Sequence, residues 1–348
     1  MSPFSRFSGL LLAAALPLSA YAELPAERIE PSINAELAAH TKVFAQQVYR
    51  VADNVYSAVG WQLGNVVVIE APQGLIIVDT GESVSESRKI MAEFRKLTDK
   101  PVRAVVYTHF HQDHINGVQA FVSREQVERG EVQIYAHETL LQNVEAQGAL
   151  VGPILGVRSA YSFGSFLPAS DQEGMNAGIG PLAKPEPSSF IAPTVTFGER
   201  LDTTIAGLDV QFLHVPSEAP DEITLYLPAN RVLISAEVDQ GPTLPNIHTL
   251  RGTKFRDPVQ WVESLDKLRA YQAEYMVPLH GRPVSGQDKV EEVLRMTRDG
   301  IAYIHDQTVR WMNKGLTPDE LVEKVKLPPH LAGYTPYLRE YYGTVKHS

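Results

Sequence analysis

Cysteine is absent from all 348 residues. That absence excludes disulfides, thiol nucleophiles, iron–sulfur clusters and thiolate zinc sites together, so a metal held by this chain must rest on histidine and carboxylate side chains. Basic charge is also scarce: 31 Lys and Arg stand against 41 Asp and Glu, a formal net charge of -10. Nucleic acid and anionic lipid surfaces are poor partners for that balance. The apolar run at Gly9 to Ala20 is about a dozen residues long, short of the roughly 20 that span a bilayer, which argues against stable membrane insertion. What is present suits a folded globular chain, with 44% hydrophobic and 21% charged residues. The 24 Pro and 24 Gly imply many loops, where binding and catalytic residues concentrate.

Residues 1–22 read as a signal peptide. Arg6 supplies the positive region, Gly9 to Ala20 the apolar one, and Ala20-Tyr21-Ala22 the small residues a signal peptidase reads. The expected mature chain begins near Glu23, in the periplasm or outside the cell.

Strand and helix patterns then alternate. Val48 to Ala58 is expected as a half-buried strand, and Asn65 to Glu70 with Gly74 to Asp79 as a hairpin around Pro72-Gln73-Gly74. Ser83 and Glu86 form a capping-box pattern before a helix with Ile90, Met91, Phe94 and Leu97 on its inner face. Ala104-Val105-Val106-Tyr107 reads as a buried strand, Val118 to Gly130 as helical, and Val132 to Tyr135 as a strand. Gly152 to Pro193 shows little periodicity and reads as a long functional loop. Leu208 to Val215, Ile223 to Leu227 and Arg231 to Ser235 resume the strand pattern. Asp257-Pro258 opens a helix with Trp261, Leu265 and Leu268 inside, Glu274 to Leu279 is a last strand, and the chain after Gly286 is mainly helical. Trp261 and Trp311 are most simply core residues. Two strand-rich halves, about 48–135 and 194–280, describe an α/β protein of αββα sandwich type. Residues 23–285 form the catalytic domain in this reading and 286–348 a C-terminal helical segment.

The chemistry is concentrated in His109-Phe110-His111-Gln112-Asp113-His114, directly after the strand at 104–107. Alternation along an extended segment sends His109 and His111 to one side, and Asp113 and His114 turn away, which suits a second ion beside the first. Three imidazoles and a carboxylate are donors that suit zinc.

This hexapeptide resembles the signature of the metallo-β-lactamase fold superfamily, itself an αββα sandwich. Val78-Asp79-Thr80-Gly81 is similar to its first motif, whose Asp orients metal ligands from behind. His214-Val215-Pro216-Ser217-Glu218 and Leu233-Ile234-Ser235-Ala236-Glu237 put Glu where most branches have His and Asp, and Pro278-Leu279-His280-Gly281 matches the last motif. Both glutamates, with Pro216-Ser217-Glu218-Ala219-Pro220-Asp221-Glu222, resemble the alkylsulfatase branch. The resemblance implies two zinc ions per chain, one on His109, His111 and Glu218 and the other on Asp113, His114 and His280, with Glu237 shared or nearby. It also implies a metal-bound hydroxide that cleaves alkyl sulfate esters to alcohol and inorganic sulfate. Asp113 and Glu237 then take part in catalysis, with Tyr342 as a proton-donor candidate.

Thr249-Leu250-Arg251-Gly252 looks like the family's sulfate-contacting segment, and Asn246 is a neutral donor candidate beside it. His214 is expected to pack at a strand end, and His305 and His330 to lie at the surface or an interface. The segment from Tyr303 to Leu331 looks like the family's dimerisation helices, which implies a homodimer. Phe163-Gly164-Ser165 stands where the family commonly has Tyr-Gly-Asn; Phe163 and Ser165 are substrate-contact candidates, and the exchange keeps open a hydrolase of another ester, lactone, β-lactam or phosphoester. The apolar side chains of Phe163, Phe166, Leu167 and Phe190 suit either an alkyl chain or the core. Filled ligand positions argue against a third reading, a non-catalytic binding protein, and the implied substrate is a small amphiphilic ester.

Overall fold

Period-two alternation in the apolar runs sorts each strand's side chains onto two faces, and both faces are covered. The computed structural model describes residues 34–348 apart from 168–174, 250 and 253; the signal-peptide reading of residues 1–22 lies outside the described residues. One sheet runs β1 (Gln47–Ala52), β2 (Val55–Val59), β3 (Val66–Ala71), β4 (Gly74–Val78), β5 (Val102–Val106), β6 (Gln133–His137) and β7 (Val195–Phe197), hydrogen-bonded in that order. The other runs β8 (Arg200–Ile205), β9 (Leu208–His214), β10 (Ile223–Leu227), β11 (Val232–Ala236), β12 (Tyr275–Pro278) and β13 (Val284–Ser285), again in sequence order. Before, between and after the strands come α1 (Ala35–His40), α2 (Val84–Phe94), α3 (Gln112–Ile115), α4 (Arg124–Glu128), α5 (Leu140–Glu145), α6 (Val151–Ser162), α7 (Pro258–Arg269), α8 (Gln287–Met312), α9 (Pro318–Lys324) and α10 (Pro329–Ala332).

Three apolar layers separate these elements. Leu75 and Ile77 of β4 pack outward with Ile90 and Phe94 of α2, while Ile76 and Val78 pack inward with Phe212, Leu225 and Ile234 of the second sheet. Beyond that sheet, Leu233 and Met276 meet Trp261, Leu265 and Leu268 of α7 and Val293 and Leu294 of α8. The order helix, sheet, sheet, helix is the expected αββα sandwich, with the C-terminal helices continuing one outer layer.

Several local expectations are corrected. Val48 to Ala58 is a hairpin rather than one strand, because Asp53-Asn54 turns the chain. The strand at 195–197 joins the first sheet as β7, parallel to β6, so the two sequence halves are not the two sheets. Ser83 caps α2 by accepting from the Glu86 N–H at 3.2 Å, but the Glu86 carboxylate reaches forward to Lys89, leaving the capping box half made. Leu97 lies beyond the helix and is exposed. Within 118–130 the helix is broken at 121–123, where Ser123 starts α4 with a complete capping box. The reading of 152–193 as loop fails at its start: Val151–Ser162 is helical, but only Leu155 is buried, so no inward stripe marked it. Trp311 is not among the core residues: it is half-buried near the end of α8, with Arg310, Lys314 and Lys324 over its ring.

Candidate metal centre

Parallel strand pairs place loops at matching heights, and both sheets bring such loops to one shared edge. In the first sheet Val78 pairs with Val106, which sets Asp79 beside Thr108 and the histidines after it. In the second, Ala236 pairs with Pro278, which sets Glu237 beside His280. Asp79 and Ala236 each take φ 54, a conformation that costs a non-glycine residue energy and is retained where the surroundings over-determine it. Each turns its strand abruptly at the edge. The Asn65 amide ties the sheets together, donating to the carbonyls of Pro278 at 3.2 Å and Gly281 at 2.7 Å.

Two groups of donor atoms meet there, each within 4.8 Å of one another: Asp113, His114, Glu237 and His280, and His109, His111 and Glu237. Glu237 belongs to both. The inner nitrogens converge: His114 Nε2 is 2.7 Å from Glu237 Oε1 and 3.3 Å from Asp113 Oδ2, His280 Nε2 touches the same Glu237 oxygen, and His109 Nε2 is 2.9 Å from His111 Nδ1. Outer nitrogens are held from behind. His114 Nδ1 lies 2.6 Å from Asp79 Oδ2, His280 Nδ1 2.8 Å from the Leu63 carbonyl and His109 Nδ1 3.0 Å from the Thr108 hydroxyl. Thr108 in turn donates to both Asp79 oxygens, at 2.8 and 2.7 Å. A ring whose outer N–H is engaged presents an inner lone pair, the arrangement a metal requires.

The charge balance also points to cations. Asp79, Asp113, Glu218, Glu222 and Glu237 converge on this edge, and four of them are buried. Burial would raise Glu237, yet His280, Glu218 and His114 hold it well below its ordinary value, while burial pushes Glu218 well above its own, against the pull of Arg256. Carboxyl groups crowded in this way repel one another, and a divalent ion bound among them offsets that repulsion. Burial also lowers His111 to about 4, keeping its ring neutral and able to ligate. The donor types, the engaged outer nitrogens and the buried carboxylates fit divalent metal. His109, His114 and His280 are inaccessible, whereas 13% of the His111 side chain and 16% of the Asp113 side chain face solvent, so the cluster is open on that side.

The remaining expected residues divide. Glu218 stands at the rim of the second group, with Oε1 3.7 Å from His111 Nδ1 and paired to Arg256, and Oε2 buried without a hydrogen-bond partner. Arg251 and Tyr342 are together: the guanidinium donates to the Tyr342 hydroxyl at 3.0 Å and lies over the Phe163 ring at 4.8 Å. Burial alone would lower Arg251, but Tyr342, Glu218 and Asp113 keep it firmly protonated, so the charges of the donor cluster reach it. Asn246 is fixed through its backbone, accepting from Arg256 at 2.6 Å and donating to Gln240 at 2.7 Å. Ser165 and Phe166 are exposed, whereas Phe190 packs beside Tyr107 on the core. Leu250 of the expected arginine segment lies outside the described residues. His214 stacks on His137 at 4.0 Å at the end of β9, away from the donors.

Sequence reasoning missed Arg256 and Glu222. Glu222 accepts from the Glu237 N–H at 2.6 Å and from the Ser217 hydroxyl, so one buried carboxyl fastens both glutamate-bearing loops. It is pushed up to about 8, by burial first. Its place in the stretch Pro216 to Glu222 was visible, but its role was not. Arg256 lies in no motif.

Comparison with known proteins follows the same lines. Residues 59–280 match the metallo-beta-lactamase superfamily. A linear primary-alkylsulfatase of a Pseudomonas species is 80% identical over 281 residues, 81% of this chain and 53% of that protein. Alkyl/aryl-sulfatase BDS1 of Saccharomyces cerevisiae is 36% identical over 336 residues, covering 94% of this chain and 51% of the yeast protein. Among solved structures, the stereoselective inverting sec-alkylsulfatase Pisa1 of a Pseudomonas species superposes with a TM-score of 0.81 at 29% identity, over 87% of this chain and 49% of that one. The chain thus spans about half the length of the curated relatives it matches.

Proposed function

The chain belongs to the metallo-β-lactamase superfamily, and from that premise we propose that it is a two-zinc hydrolase of alkyl sulfate esters, releasing the alcohol and inorganic sulfate. The observation that carries the reading is Arg251. It is a protonated guanidinium whose face rests on Phe163, whose Nη2 is bound to Tyr342, and whose charge is felt by Glu218 and Asp113. A sulfate monoester carries one negative charge, and a fixed planar cation beside the donor cluster matches it with a two-pronged contact.

When bound, the ions supply Lewis acidity and bring the pKa of water from 15.7 to about 7. His109, His111, Asp113, His114, Glu218, Glu237 and His280 are the residues that hold them in this proposal. Asp113 and His111, the partly exposed members, face the ester. Glu237, shared by both donor groups and fixed by the Glu222 carboxyl, is placed to orient the attacking water. The Tyr342 hydroxyl, which accepts from Arg251, is the proton donor to the departing alcohol in this proposal. Asn246 and Ser165 complete the polar wall. For the alkyl chain, α6 is the candidate: Arg158 on it donates to the Arg251 carbonyl at 3.1 Å, and Ile154, Val157, Tyr161 and, just beyond, Phe166 are exposed. Apolar side chains left in water beside a polar site are what an amphiphile would cover.

The named activities of the 80% and 36% identical relatives support the sulfate ester as the bond cleaved. Export to the periplasm or medium, and a homodimer formed through Tyr303 to Leu331, belong to the same proposal. Its test is a panel of dodecyl sulfate, an aryl sulfate, a phosphate monoester, a lactone and a cephalosporin given to the purified chain. Inorganic sulfate is expected from the first, and none from Glu237→Ala. Turnover of the lactone or cephalosporin with no sulfate from dodecyl sulfate would refute it.

A further inference from the structure

Arg256 is the most deeply confined cation at the metal-binding edge: 1% of its side chain is accessible, and it lies between exposed Phe255 and Asp257, the residue that caps α7. Nη1 donates to the Asn246 carbonyl at 2.6 Å, and Nη2 binds Glu218 Oε1. The other Glu218 oxygen, Oε2, is buried without a hydrogen-bond partner, while the Arg256-bound Oε1 lies 3.7 Å from His111 Nδ1. An unpaired guanidinium in such a place is costly, and so is an unpaired carboxylate.

We propose that Arg256 is a positioning residue for the ion held by His109, His111 and Glu218: it takes one oxygen of Glu218, fixes the carboxylate in a single orientation beside His111, and offsets its charge, which leaves Oε2 as the oxygen with no other partner to meet the metal. The inference rests on the two-zinc reading above. Glutamate is a demanding ligand at this position for two reasons. Its side chain has three rotatable bonds, whose freedom is lost on ligation. It also adds a negative charge next to Glu237 and Glu222, which an imidazole donor would not. A bidentate-capable guanidinium anchored at its far end by a backbone carbonyl answers both, whereas a lysine supplies the charge without the planar fork.

The test is zinc affinity of the full chain, by competition with a chromophoric chelator. Wild type is compared with Arg256→Gln, Arg256→Lys and Glu218→His, and with Glu218→His combined with Arg256→Gln. Expected is a 10- to 100-fold weakening at one of two zinc sites in Arg256→Gln, partial recovery in Arg256→Lys, and recovery in the double variant, because a neutral ligand no longer needs the cation. Arg256→Gln binding both zincs as wild type does, or a double variant no better than Arg256→Gln, overturns the inference while leaving the two-zinc reading intact. Wild type binding fewer than one zinc overturns both. Should Arg256→Gln fail to fold by near-ultraviolet circular dichroism, Arg256→Lys against Glu218→His decides: zinc binding by Arg256→Lys equal to wild type contradicts the role, and selective weakening at one site supports it.

Discussion

Asp79 gives no atom to either donor group, yet it fixes the one that matters most to both sheets. Its carboxylate receives His114 Nδ1 and two donors from Thr108, so the ring's outer N–H is engaged and its inner nitrogen faces the donor cluster. Asp79→Asn keeps a side chain tolerant of φ 54 but weakens this acceptor, and zinc affinity is expected to fall 10- to 100-fold in a chelator competition. Arg251→Met should reduce sulfate ester turnover at low substrate about 10- to 150-fold, the worth of a hydrogen bond to a charged group, with zinc content unchanged. A different histidine governs acid stability. Burial and the neighbouring His214 lower His137 from 6.5 to about 4. The folded state therefore binds fewer protons than the unfolded one in that window, and the contribution of His137 is complete above pH 6.5 and lost as pH falls to about 4. Denaturant midpoints measured across this range should fall with pH, and His137→Gln should flatten the slope.

The residues that sequence alone made legible share a property: their chemistry is contiguous. His109 to His114 is a single string at a strand end, and Glu218, Glu237 and His280 sit in short segments with recognisable neighbours. Arg256 has no such frame. Its partner is 38 positions away, and a lone arginine between a surface phenylalanine and a helix cap carries no local sign of burial.

At the scale of elements, α7 links packing to the site. Trp261 is fully buried in it, and its indole donates to the Val238 carbonyl at 2.9 Å, one residue beyond Glu237. Trp261→Ala should cost about 3–5 kcal/mol through the cavity and the lost contacts, read as a shift in denaturant midpoint, whereas Trp261→Phe should keep most of the packing and lose the tie. The central strands and α7 were legible because both their faces are covered and their apolar periods are clean; β8, exposed at alternate residues, was not read as a strand. Helix α6 was not, because a helix with one buried residue and an exposed apolar surface has no period to show; Gly152, Pro153 and Gly156 made it look like loop. Trp311 was misread for the opposite reason. Its spacing is helical, but periodicity does not tell where the partner helix stops.

For the whole molecule, the two sheets, rather than either alone, make the donor cluster, since Asp113 and His114 come from one and Glu237 and His280 from the other. The proposed homodimer would use the exposed end of α8, with Val309 and Met312 at its surface, and α9, which has no buried residue. Light scattering should give twice the chain mass, and a monomer at assay concentration would contradict that part of the proposal. In the proposed function the donor cluster makes this chain a zinc-dependent sulfatase. The direct measurement is inorganic sulfate release from dodecyl sulfate by chain stripped of metal and then titrated with zinc. Release should be absent without zinc, rise until two zincs are bound per chain, and stay absent throughout in Glu237→Ala. Sulfate release that is undiminished in the stripped chain, or absent from the fully loaded one, would contradict the account.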